Sequence, residues 1–106
     1  MDRTITKVID GLKYSTDTAT RICTYEPGGG RSDFKFECTA LFRTPKGRFF
    51  LAGFGNAMSR WSERSGNNCR TAGEGLTAMD VDAARSFAEH HADADTIAKF
   101  FKVEDA

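Results

Sequence analysis

The stretch LFRTPKGRFFLAGF, residues 41–54, constrains the fold more than any other part of the chain. Pro45-Lys46-Gly47 interrupts two apolar runs: the proline ring presets φ for a turn, and Gly47 accepts the left-handed conformation that closes one. Two β-prone runs joined in this way form an antiparallel hairpin. Asp10-Gly11 does the same between residues 4–9 and 12–15, as a two-residue link of the tightest kind. Ahead of the central hairpin, Phe34, Phe36, Cys38, Ala40 and Phe42 alternate with Lys35, Glu37, Thr39, Leu41 and Arg43. That is the period of a half-buried strand whose first set of side chains points inward.

The rest of the chain is less regular. Residues 18–25 (TATRICTY) are rich in β-branched side chains, yet Thr16-Asp17-Thr18 is also suited to capping a short helical turn, so strand and helical turn both remain open. Residues 26–30 (EPGGG) break the chain. Residues 55–75 (GNAMSRWSERSGNNCRTAGEG) follow neither the strand nor the helix period, and so long a connection in a small protein usually carries function. Thr77-x-x-Asp80 then resembles a capping box and predicts the start of an amphipathic helix. Val81, Ala84, Phe87, Ala88 and His91 fall on its apolar side, with Asp82, Ser86 and Glu89 opposite. A second short helix is expected from near Asp93, with Ile97, Phe100 and Phe101 on its stripe. The expectation is one α+β domain over residues 1–106: an antiparallel sheet of about four to five strands, built from hairpins, with two C-terminal helices packed on one face.

Formal net charge is zero, but unevenly distributed. Residues 31–70 carry eight basic against three acidic side chains, and residues 71–106 carry three against eight. The acids of the last third have structural uses: Asp80, Asp82, Asp93 and Asp95 stand in first turns of helices, and Asp95 and Arg85 each precede an opposite charge by four residues. The basic cluster Arg43, Lys46, Arg48, interleaved with Phe49 and Phe50 as stacking residues, suits nucleic acid, although a neutral chain lacks the usual electrostatic footprint. No apolar run approaches the length of a membrane span, and the N-terminus lacks the pattern of a signal peptide, so a cytoplasmic protein with reduced thiols at Cys23, Cys38 and Cys69 is expected.

Reactive chemistry finds little support. Gly28-Gly29-Gly30-Arg31-Ser32 lacks the spacing of a phosphate-binding loop. Cys23, Cys38, Cys69, His90 and His91 include no pair of cysteines at the close spacing of zinc sites, and neither Cys23 nor Cys69 sits in a nucleophile signature. No catalytic residue, metal or cofactor is therefore assigned. The candidate contact residues are Arg60, Trp61, Arg64, Asn67, Asn68 and Arg70, because Arg and Trp are the types most enriched at interface hot spots. Trp61 has a second reading, in which it folds back to close one end of the sheet.

The order DGLKYSTDTAT, RSDF, CTALFRTPKGRFFLAGFGNAMSRW, a Gly/Asn-rich loop and LTAMDVDAARSFAEHH resembles a set of small, mostly uncharacterised proteins of phages and integrated elements. There the pattern runs Tyr-Asp-Thr-Glu-Thr-Ala, Leu-Tyr-Arg-Thr-Lys-Lys-Gly-x-Tyr-Phe-Leu and Leu-Thr-x-x-Glu-Ala; this chain departs from it at Phe54 and at Met79, Asp80 and Val81. The resemblance supplies no catalytic residue. It implies a non-enzymatic phage or prophage protein that binds a host defence protein or nucleoprotein complex, foremost as an anti-CRISPR inhibitor of a CRISPR effector. The alternative is a small nucleic-acid-binding accessory protein of a mobile element.

Overall fold

In the computed structural model, residues 3–27, 33–64 and 70–106 are described. The glycine run and Arg31-Ser32, together with Asn67, Asn68 and Cys69, lie outside them. Strands β1 (Thr6–Ile9) and β2 (Leu12–Ser15) form the first hairpin. Asp10 and Gly11 both have positive φ, 52° and 79°, as a type I′ turn demands. The base of this hairpin is closed reciprocally, Thr16 N–H donating to the Ile5 carbonyl at 3.0 Å and Ile5 N–H to Thr16 Oγ1 at 3.0 Å.

The main sheet has the order β3 (Thr20–Tyr25), β4 (Glu37–Arg43), β5 (Phe49–Gly55), β8 (Gly73–Met79), with every neighbour antiparallel. Residues 20–25 are therefore strand, which resolves the open choice there. A bulge at Ile22 shifts the β3–β4 register. Gly47, at φ 87°, closes the β4–β5 turn, where Thr44 Oγ1 accepts from Arg48 N–H at 3.0 Å. A short hairpin, β6 (Glu63–Arg64) with β7 (Arg70–Thr71), precedes β8. Helix α1 (Val81–His91) and the shorter α2 (Ala94–Phe100) follow.

Both faces of the central strands are buried, unlike the half-buried pattern expected. Ala40, Phe42, Phe50, Ala52 and Leu76 pack under the first hairpin with Ile5 and Tyr14, the Phe42 and Phe50 rings stacking at 5.1 Å. On the opposite face, Leu41, Phe49 and Leu51 meet Ala84, Phe87, Ala88 and Phe101, with Phe49 and Phe101 stacked at 5.0 Å. The helices do cover one face; the β1–β2 hairpin covers the other. Phe49 and Phe50 are thus core residues, one on each side, and neither ring is free to stack on a base. Cys38 is also buried, as a small core residue.

The helix start moves as well. Thr77 belongs to β8, and the cap of α1 is Asp80, whose carboxylate accepts from Ala83 N–H at 2.7 Å. Asp93 caps α2 in the same manner through Thr96 N–H at 2.8 Å, and hydrogen bonding from the Thr96 side chain, then from its N–H, holds the Asp93 carboxyl below the usual value. Arg85 turns back to Asp82 at 2.7 Å rather than forward to Glu89.

Candidate interaction surface

At the far end of the sheet from the Gly47 turn, two glycine pairs face each other across β5 and β8: Gly53 opposite Gly75, and Gly55 opposite Gly73. Having no side chains, they leave a flat floor on the helix side, and the segment from Ser59 to Glu63 lies directly on it. A Cβ on Gly53 would stand 2.6 Å from Trp61 Nε1, on Gly75 2.9 Å from Trp61 Cε3, on Gly55 2.6 Å from Ser59 Cβ, and on Gly73 2.6 Å from Glu63 Cγ. Real side chains do not approach so closely, so glycine is required by contact here rather than by φ.

Trp61 lies in this slot and is only 8% exposed. Of the two readings of that residue, the structure holds the one in which the ring folds back onto the sheet; its large apolar area makes the interior the lower-energy place. Its indole N–H donates to Thr39 Oγ1 at 2.8 Å, the Thr39 hydroxyl donates to Glu37 Oε2 at 2.5 Å, and Arg60 Nε donates to the same carboxylate oxygen at 2.9 Å. Thr39 is fully buried and Glu37 nearly so. Each polar group in this chain has a partner, which is what permits a carboxylate to sit under the helices.

Trp61 is enclosed, whereas Arg60 reaches the same carboxylate from the rim and stays part-exposed. The Arg60 side chain is about 39% exposed, and its guanidinium carbon sits 5.9 Å from the centre of the Phe87 ring, near the outer limit of a cation–π contact. Beside them His91 packs between Tyr25 and Phe87, with ring centroids 4.4 and 4.6 Å away. Burial, then His90 and Arg60, push the His91 imidazole below its ordinary value, while Glu37 opposes the shift. Cys23, half-buried against the same cluster, has its thiol pushed up to about 11 by burial, so its thiolate is scarce at neutral pH. No group of three His, Cys, Asp or Glu able to hold a metal occurs among the described residues. This constellation orients side chains; its carboxylate is already engaged by two donors.

Segments bonded to this one carry exposed apolar and basic side chains. Met58 N–H donates to the Phe34 carbonyl at 2.8 Å, which sets these two residues side by side, and both side chains stand in solvent at 65% and 70% exposure. Asn56 ties the same two segments together, its Nδ2 donating to the Asp33 carbonyl at 2.7 Å. Arg64 and Arg70 face one another across the β6–β7 pair, and Arg70 is steadied by Ser62, Nε to Oγ at 2.8 Å. Like charges directly opposite disfavour the isolated pair and favour an anionic neighbour.

Of the residues selected from sequence, Arg60, Arg64 and Arg70 are thus displayed by one stretch of chain, Trp61 anchors it from inside, and Asn67 and Asn68 are outside the described residues. Phe34 and Met58 were missed. Phe34 fits the strand alternation, which in fact begins only at Glu37; Met58 left a signal, as a large apolar residue in an aperiodic segment with no partner in period. The chain matches no family model, no curated protein and no solved structure.

Proposed function

We propose that this protein is a non-enzymatic interaction protein of a phage or prophage that inhibits a host defence complex by binding it, with a CRISPR effector as the first candidate target. The observation that carries the binding part is the juxtaposition of exposed Phe34 with exposed Met58, whose next residues, Ser59 to Glu63, are fixed on the glycine floor. Two exposed large apolar side chains brought together, with arginines on the same and the following segment, have the composition of an interface core with a charged rim. Because Trp61 already fixes the segment, little ordering entropy opposes association. The defence setting comes from the resemblance to small phage proteins.

The test is an interference assay: cells carrying an active CRISPR system are challenged with a targeted plasmid, with and without the protein. Transformation rises when the wild-type protein is present. The double variant Phe34→Ser, Met58→Ser loses the effect while its melting temperature stays near that of the wild type. No rise with wild type across representative effector types overturns the inhibitor reading; retained activity in the double variant overturns this surface. A second reading, nucleic-acid binding, draws on the exposed cluster of Arg43, Lys46 and Arg48, and binding lost by orders of magnitude between low and moderate salt would favour it.

A further inference from the structure

The opposite end of the β4–β5 hairpin carries a separate feature that the proposed contact surface does not use. There the tip of the β1–β2 hairpin approaches the β4–β5 turn, and the two enclose a cleft of about 390 Å³. Its walls include Lys13, Lys46 and Arg48, and its apolar part comes from Leu12, Tyr14 and Pro45. No acidic residue lines it, and among the described residues no ion pair engages Lys13, Lys46 or Arg48. The guanidinium of Arg43 adds a further charge nearby, since its Nη2 lies 3.6 Å from where a Cβ on Gly47 would stand. Asp10, in the turn next to Gly11, offsets one of these charges. The excess is positive even so.

We infer that this cleft is a binding site for an acidic peptide segment that carries an apolar side chain, a glutamate- or aspartate-rich stretch with an aliphatic anchor. Charge complementarity gives the acidic part: three cations converge on one cleft with no carboxylate in its walls. The apolar anchor follows from Leu12, 38% exposed, and from Pro45, which is also exposed. A nucleic-acid strand fits less well, because single-strand binding draws on exposed rings for stacking. Here Tyr14 is only 5% exposed and turned edge-on to Phe50 at 5.6 Å, while Phe49 and Phe50 are inside the core. Both walls are held in place by turns with fixed positive φ, at Asp10, Gly11 and Gly47, so the cleft exists before the ligand arrives. This inference stands independently of the defence reading and of the surface at Phe34 and Met58.

Fluorescence anisotropy tests it with three labelled probes on the intact protein: an alternating Glu/Leu peptide, the same peptide with Gln in place of Glu, and an oligothymidine of similar length. The Glu/Leu peptide is expected to bind, more weakly as salt is raised, and the Gln/Leu peptide at least about tenfold more weakly. Lys46→Glu with Arg48→Glu is expected to reduce binding of the Glu/Leu peptide about tenfold or more, and Lys13→Glu, on the other wall, to weaken it in the same direction. All three residues are exposed, so the variants should keep the wild-type melting temperature, and Lys13→Glu alone serves if the double variant does not fold. Equal binding of the two peptides, or charge reversals without effect, overturns the proposal. Tighter binding of the oligothymidine than of the Glu/Leu peptide, lost in the same variants, overturns it in favour of a nucleic-acid site.

Discussion

Trp61 and Thr39 meet through one hydrogen bond, Nε1 to Oγ1 at 2.8 Å, and that bond joins a ring packed on glycine to a carboxylate packed under an arginine. Removing the ring therefore costs packing and also strands part of the polar chain. Trp61→Ala should destabilise the fold by about 3–5 kcal/mol, and Trp61→Phe by less, since much of the apolar contact survives. Denaturant unfolding checks both, and an unchanged midpoint for Trp61→Ala would contradict the packing described.

Gly75 offers the complementary test. A side chain there collides with the Trp61 ring, so Gly75→Val should expel the indole and cost about 1–3 kcal/mol or more. As Trp61 is the only tryptophan, its emission reports the result directly: a shift to longer wavelength on substitution is expected, and an unshifted spectrum would mean the ring is seated elsewhere.

The two turns with positive φ behave differently from one another. Gly47→Val should cost at least about 1 kcal/mol, because a β-branched residue is strained at φ 87°. Asp10→Asn, at φ 52°, should be near neutral, since Asn tolerates the left-handed region well. Melting temperatures of the two variants distinguish them.

His91 predicts a pH dependence. Its imidazole binds a proton less readily in the fold than in the unfolded chain, whose ordinary value is 6.5. Its contribution to stability is therefore present in full above that value and is lost as pH falls through the lowered folded value. Thermal unfolding followed from about pH 7.5 down to 5 should show stability falling, with a shallower fall for His91→Gln. An identical slope in the variant would remove His91 as the cause.

The elements legible in the sequence are those whose local chemistry and final environment agree. Asp10-Gly11 and Pro45-Gly47 demand their turns whatever surrounds them, and both hairpins form where expected. Strand β8 was illegible because Gly-Glu-Gly-Leu-Thr-Ala-Met has little intrinsic strand preference; its conformation comes from pairing with β5 along seven residues. The same tertiary pairing takes Thr77 from the helix start and leaves capping to Asp80. Glu37 and Thr39 read as outward because polar residues at alternate positions usually face water, and only the partners supplied by Arg60 and Trp61, distant in sequence, let them stay inside. Arg60 and Trp61 were selected together as contact residues, but both side chains end on the Thr39–Glu37 pair, the indole enclosed on the sheet and the guanidinium only part-exposed.

The glycine floor has a consequence for how this protein can change over generations. Seating the contact segment depends on residues that face the sheet: four glycines, Ser59 and Trp61. Positions 58 and 64 face away, and their identities are nearly decoupled from whether the chain folds, whereas position 60 is tied to the fold by its bond to Glu37. The scaffold can thus hold still while the displayed side chains are exchanged, so a lineage can follow an altered target by substitution at a few outward positions, without first having to rebuild its core.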